Sequence, residues 1–438
     1  LSIAVFNIND AGIQLTVDSE LIRTSPGIAV LNNNSLMTGE EASENVKLLP
    51  RWTNNRFWSQ LNTNPLPNST EQVRHNADIA FAHFEDLWLP INKAVANVIV
   101  IVPGYYHSND LGLLLGIAHE CGMPIKGVVD QSVISASDLT LCSNVIHLDA
   151  HLHSFTLTQI SNRGVLARKN VKTILETGLS TLFDRWANII ASQFIQTTRF
   201  DPMHNADTEQ QLFNLLPGWI RNLQDSNTHS FSIKAADTEH SVAISQESLL
   251  KACTPLYPKI VQAIRSEIGT NESASLLLSH RLQGFPGLKE SLQLVANLEI
   301  IDLPKEKAND SAATHNATII GNGDTVSHVV QLGTGEVAAP QKRETSATGA
   351  THILWRHQAT AIGKALRIDA DLSTGPRSSN NPAFTLYTRD NQIMIECSAT
   401  DTVTINGAAA DPSRPLKPGD KIELAGDQLT LISVPQDR

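Results

Sequence analysis

The densest chemical potential in this 438-residue chain lies in one short run, VIHLDAHLHSF, where His147, Asp149, His151 and His153 alternate. On an unbroken strand these four would share one face, and imidazoles with a carboxylate on one face make a zinc donor set. A little upstream, Gln131 opens the segment QSVISA; its amide can hydrogen-bond a water but cannot take its proton. Asp10 sits in the turn NINDAG, where an aspartate ordinarily stabilises the turn. Cys121, Cys142, Cys253 and Cys397 are scattered without the paired spacing of a metal site, and a chain this long needs no disulfides for its core, so reduced cytosolic thiols are expected.

The elements around these residues follow from apolar patterning. Residues 98–102 are a β-branched apolar run ended by Pro103-Gly104, the mark of a strand buried on both faces. A helix is expected from Ser108 or Asn109 to Gly122, then a second buried strand over 125–129, which makes a right-handed strand–helix–strand crossover. A short helix over 133–139 and strands over 145–149 and 155–160 follow. The start of the chain predicts a strand at 3–6 paired with 12–17. The aromatic, proline-broken stretch 51–70 predicts an insertion or edge loop; Trp52, Phe57 and Trp58 form either a partner-docking patch or, as aromatics more often do, the packing under their own loop. Helical periodicity is found over 71–89, 174–195, within 200–223, and over 246–268 with a proline interruption; alternation over 231–245 predicts a hairpin.

This order resembles the actin and Hsp70-like ATPase superfamily. The matching pieces are IVPGYY (101–106), VVDQSVISA (128–136) and HLDAHLHSFTLTQI (147–160), beside SPGIAVLNNNSLMTGEEASEN (25–45) and ASLLLSHRLQGFPGLKESL (274–292). The resemblance spans roughly residues 1–303 and implies a two-lobed α/β domain of ribonuclease H-like fold, with a nucleotide between the lobes. It also implies which residues would meet that nucleotide, and most are altered. Asn7 stands where the family has its metal-organising aspartate, and Asn9-Asp10-Ala11 where it has Gly-Thr-Thr; an amide lacks the charge that holds hydrated magnesium, and side chains obstruct backbone approach to phosphate. Asp149 is kept, but the three glycines after it are His151, Leu152 and His153, with Ser154 for threonine. The family's chain turns at 151–153, which would scatter the histidines, so no metal site is expected. TGLSTLFD (177–184) keeps one glycine of a third phosphate turn. Ser279-His280 replaces the glycine pair that lies against adenosine, with Arg281 near the family's arginine.

Residues 304–350 turn to Lys, Glu, Ala, Thr, Asn, Ser and Gly and predict a solvated linker, with short strands within 317–320 and 326–332. From 351 to 438 short alternating segments predict an all-β sandwich. AIGKALRIDADL and TINGAAA…RPLKPGDKIELAG resemble the forkhead-associated (FHA) domain. The resemblance implies a phosphothreonine site whose remaining contacts would be Lys364, Arg377, Ser379 and Asn406; Lys364 replaces an arginine and meets phosphate without bidentate geometry.

With 33 Lys and Arg against 44 Asp and Glu, the net charge of −11 argues against a nucleic-acid partner. No apolar run of membrane-spanning length and no intact signal peptide is found, so a cytoplasmic protein without membrane contact is expected. The expected function is that of an Hsp70-like pseudo-ATPase with degenerate phosphate and adenosine motifs. It would act as a protein-interaction scaffold or chaperone-like protein, its partner held through the FHA-like domain or the lobes. Two readings stand beside it: an ATPase using Asp10, Gln131 and Asp149 with bound ATP or ADP and magnesium, and a phosphopeptide adaptor.

Overall fold

The structure, a computed structural model, describes residues 2–32, 35–175, 177–223, 227–269, 272–320, 326–333, 352–355, 358–369, 382–389, 392–398, 403–424 and 426–432. The chain is mixed α/β and divides into two compact units, Leu1–Glu336 and Val337–Arg438.

The first unit opens with strands β1 (Ile3–Asn7), β2 (Ile13–Val17) and β3 (Glu20–Ser25). A small three-stranded sheet follows, made of β4 (Ala29–Asn32), β5 (Ser35–Thr38) and β6 (Thr53–Asn54), with helix α1 (Gly39–Ser43) between the last two. Helix α2 (Asn76–Trp88) leads to β7 (Asn97–Val102), α3 (Ser108–Glu120), β8 (Ile125–Asp130) and α4 (Gln131–Ala136). Next come β9 (Asn144–Ala150), β10 (Ser154–Asn162) and β11 (Val165–Leu175), then α5 (Leu179–Thr198) and α6 (Ala206–Arg221). The hairpin β12 (Thr228–Ala235) and β13 (Thr238–Ser245) precedes α7 (Gln246–Cys253) and α8 (Tyr257–Glu267). Strand β14 (Ala274–Leu278), α9 (Leu288–Gln293) and β15 (Leu298–Asp302) complete the pattern.

One topology occurs twice. The first large sheet runs β3-β2-β1-β7-β8 and the second β11-β10-β9-β14-β15. In each, three antiparallel strands are followed by two parallel ones joined through helices. The apolar runs foreseen as buried strands form these parallel strands: Val98–Val102 and Leu276–Leu278 are buried throughout. Each sheet has its own helical packing. Phe6, Val100, Phe84, Leu114 and the loop residues Phe57 and Trp58 share one core. Leu148, Phe155, Trp186, Leu216, Phe231 and Ile260 share another. A third core, with Val5, Ile101, Val129, Ile134, Val145, Leu277 and Ile319, draws residues from both sheets.

The described residues of 304–333 belong to this first unit, where a linker was expected from 304. Helices α10 (Lys307–Thr314) and α11 (Asn316–Ile320) pack there, and 317–320 is helical rather than extended. Ala308, Ser311 and Ala312 are small enough to let α10 lie against β1 and α4, which is why its composition looked solvated. Two short strands, β16 (His328–Val329) and β17 (Gln331–Gly333), then extend one sheet beside β8 and the other beside β11. The expected helix over 174–195 also shifts: β11 continues to Leu175 and α5 starts at Leu179.

The second unit is all-β among its described residues. One antiparallel sheet contains β18 (His352–Trp355), β19 (Gln358–Ala361), β23 (Val403–Ile405), β24 (Ala408–Ala409), β25 (Lys421–Leu424) and β26 (Asp427–Ile432), and another contains β20 (Ala365–Ile368), β21 (Phe384–Arg389) and β22 (Gln392–Cys397). Ile353, Val403 and Ile422 of the first and Ile368, Phe384 and Ile395 of the second lie in one apolar core. Among the described residues, no helix is long and apolar enough to cross a membrane.

Candidate functional site

The β1–β2 turn and the β9–β10 turn occupy the same place in the two copies of the topology, and they meet. Asp149, at the end of β9, is the centre. Its Oδ2 accepts from the amides of Asn9 at 2.9 Å and Gln131 at 2.7 Å. Its Oδ1 accepts from the Ala150 N–H at 2.9 Å and lies 3.5 Å from Arg281 Nη1. Burial alone would raise the pKa of this carboxyl, which is 1% exposed; Arg281, His151, His147 and a Ser279 hydrogen bond outweigh it and hold the group well below the ordinary range. Two oxygens offer about four acceptor sites, so protein donors take essentially the whole capacity of Asp149.

Asp10 acts similarly on the opposing turn. Its Oδ1 accepts the Leu152 N–H at 2.9 Å and lies 3.5 Å from His151 Nδ1, while its buried Oδ2 has no hydrogen-bond partner among the described residues. Asn7 donates to Gln14 at 3.3 Å and to Asn309 of α10 at 3.2 Å. The amide end of α5 is also spent: the Leu179 and Ser180 N–H groups donate to the His151 and Leu152 carbonyls, both at 2.9 Å. Helix N-termini are natural anion sites because these amides are otherwise unpaired; here the neighbouring turn pairs them.

The three remaining histidines of the alternating run part at the turn. His147 lines the cavity beside Asn7 and Gln131, His151 bonds Thr156 Oγ1 at 3.2 Å, and His153 bonds Asn55 Oδ1 at 2.9 Å. Ser154 pairs across the sheet with Leu175, its carbonyl accepting from the His151 N–H. Ser279 caps the short turn carrying His280, whose pKa burial lowers to about 3. The cavity among Asn7, Gln131, His147, Ser279, His280 and Arg281 measures ≈ 10 Å³, room for about one water. A larger cleft of ≈ 450 Å³ lies beyond Leu152 and Phe183. Its lining carries Glu40, Glu44 and Asp184, and its one lysine, Lys47, is paired with Asp184 at 3.7 Å and Glu209 at 3.2 Å.

Sequence reasoning missed several of these partners. Asn9 was visible only as a lost glycine, although a side-chain amide is what Asp149 needs. Asp130 went unremarked: fully buried, it caps α4 through the Ser132 and Val133 amides and pairs with Arg168 at 2.8 Å, so it fixes the start of the helix that carries Gln131. A buried Ser25–His83 pair, 2.8 Å apart, has the contacts of a nucleophile and base. However, His83 Nδ1 accepts from the Trp58 indole at 3.0 Å, so the ring proton is on Nε2 and points at Ser25. His83 therefore donates and cannot draw a proton from the serine.

This gives a pH prediction. Burial lowers the His83 pKa to about 3, against 6.5 when unfolded. Between those values the unfolded chain binds a proton that the folded chain refuses, so stability falls as pH drops below 6.5 and is level above it. By pH 5 the loss from His83 is about 2 kcal/mol. His280 acts in the same direction. Urea midpoints of the first unit at pH 7.5 and 5 should show this, and His83→Gln, which can keep both hydrogen bonds without titrating, should flatten the profile.

In the second unit, Lys364 is exposed and its carbonyl accepts the Thr388 N–H at 3.2 Å. Arg377 and Ser379 lie outside the described residues. Asn406, at φ +51°, donates to Asp420 at 2.8 Å and accepts from the Lys421 N–H at 2.9 Å, so its side chain stabilises its own turn. Comparison with known proteins finds no family model that matches the sequence and no curated protein that matches it.

Proposed function

We propose that this chain is an Hsp70/actin-like pseudo-ATPase that serves as a protein-interaction scaffold. The repeated strand order, with two hairpin turns facing each other at its centre, supports the two-lobed reading of residues 1–303. The observation that carries the functional reading is the saturation of Asp149. To hold a metal-bound water it would have to release the Asn9 and Gln131 amides, both at hydrogen-bonding distance. Asp10 places an internal carboxylate on the turn amide that a phosphate would seek, and the Leu179 and Ser180 amides of α5 are spent on carbonyls. Nucleotide pockets ordinarily need several hundred Å³, against ≈ 10 Å³ between Gln131 and His280. The larger cleft presents carboxylates, which repel a polyphosphate. Magnesium–ATP does not fit these residues.

An FHA-like second unit suits the same role, kept for contact with a protein partner; the commitment of Asn406 to Asp420 and Lys421 weakens the phosphopeptide reading. The test is isothermal titration of the whole protein with ATP and with ADP, magnesium present. No heat at millimolar ligand, and no thermal shift, is the expected result. Micromolar binding would mean that the turns open to form a phosphate cradle, and the proposal would fall.

A further inference from the structure

A groove of ≈ 540 Å³ runs across the region of the insertion and shares Asn55 with the cleft beside Leu152. Its only charged lining residues are Arg51 and Arg56, both exposed and, among the described residues, neither in an ion pair. From Asn45 to Thr70 the sequence contains no Asp or Glu, in a chain that carries 44 of them. An acidic protein has thus kept one groove cationic, and a chain with net charge −11 does so against its own field. Trp52 lies in the same lining, 38% exposed, while its neighbours Phe57 and Trp58 are buried in the core. An indole left at a surface beside two unpaired guanidinium groups is a combination enriched at binding surfaces.

The backbone around it says what kind of ligand fits. Strand β6 (Thr53–Asn54) forms part of the groove wall and stands at the edge of its three-stranded sheet, paired with β4 on one side only. An open strand edge accepts an extended peptide through main-chain hydrogen bonds. The exposed carboxamides of Asn64 and Asn68 carry both a donor and an acceptor, which matches a peptide unit.

We propose that this groove binds an extended acidic peptide segment of a partner protein. The peptide lies along β6, its carboxylates on Arg51 and Arg56 and an apolar side chain against Trp52. Guanidinium groups meet carboxylates bidentately, so two acidic residues spaced along one strand face would set register. This site does not depend on whether the cleft at Asp149 takes nucleotide, and either can fail alone.

The experiment exposes the full chain to an arrayed decapeptide library and measures the strongest binders by fluorescence anisotropy. Binders should carry at least two Asp or Glu residues, and their affinity should fall with salt. Arg51→Gln with Arg56→Gln should weaken them at least tenfold, and Trp52→Ala several-fold, with the unfolding transition unmoved because all three side chains reach solvent. Three results would overturn the proposal: no acidic enrichment, affinity unchanged in the double arginine variant, or arginine-dependent binding of an oligogalacturonate but of no peptide.

Discussion

Arg281→Leu is expected to destabilise the first unit by about 3–5 kcal/mol, the usual cost of removing one partner from a buried ion pair. The reason lies in what remains. Asp149 would stay buried, its charge faced only by amide donors, a Ser279 hydrogen bond and two neighbouring histidines, and burial lowers the pKa of His147, one of the two. The guanidinium also bonds the Gly12 carbonyl at 3.1 Å, so its loss frees the β1–β2 turn from the β14 side of the site. A carboxylate kept to receive a hydrated cation would tolerate this change, because water and metal would replace the arginine. A carboxylate already saturated by the protein would not. The shift in the urea transition of the first unit reads the difference. Pairing the change with Asp149→Leu should recover much of the loss, since removing both charges spares the burial of either alone. A single-variant loss under about 1 kcal/mol would show that the buried Asp149 carboxylate does not depend on Arg281.

The strands were legible because their cause is local. Runs such as VIVIV and ASLLL are apolar enough to be buried on both faces, and Pro103-Gly104 and Gly122 punctuate them. The altered turns were legible too, since a leucine or histidine in place of glycine is visible without coordinates. What the changed residues do instead was not. Asn9 and Asp149 are 140 positions apart, and only the meeting of two hairpins makes one the donor of the other. Asn309 was assigned to a solvated linker because its neighbours are small and polar. Its side chain in fact reaches Thr16 Oγ1 at 3.2 Å and accepts from Asn7, so a helix of low hydrophobicity is held by polar contacts and close approach. Patterns of hydrophobicity do not report such packing. The tautomer that makes Ser25–His83 inert is likewise set by Trp58, a residue read as part of an insertion.

Gly178→Ala should cost about 3 kcal/mol or more, at the upper end of what an added methyl does in a packed interior. Gly178 is the one glycine left in the third turn, and in the resembled family such a glycine serves phosphate. Here a Cβ would stand 2.2 Å from the Leu152 carbonyl oxygen and 2.4 Å from the Cα and N of His153. These are backbone atoms, held by the Leu179 and Ser180 amides and by Asp10, so no side-chain rotation relieves the clash. Strain in φ plays no part, because the residue sits at −99°, which alanine adopts freely. The suitable control is Gly112→Ala on the exposed face of α3, where a Cβ meets nothing within 4 Å. Helix propensity predicts that change to stabilise by up to about 1 kcal/mol. Opposite signs at the two glycines, measured without any nucleotide, would place the pressure on Gly178 in the fit between two turns. Equal and small effects would mean that the 151–153 turn can withdraw from α5, and a turn able to withdraw would also leave the α5 amides open to an anion.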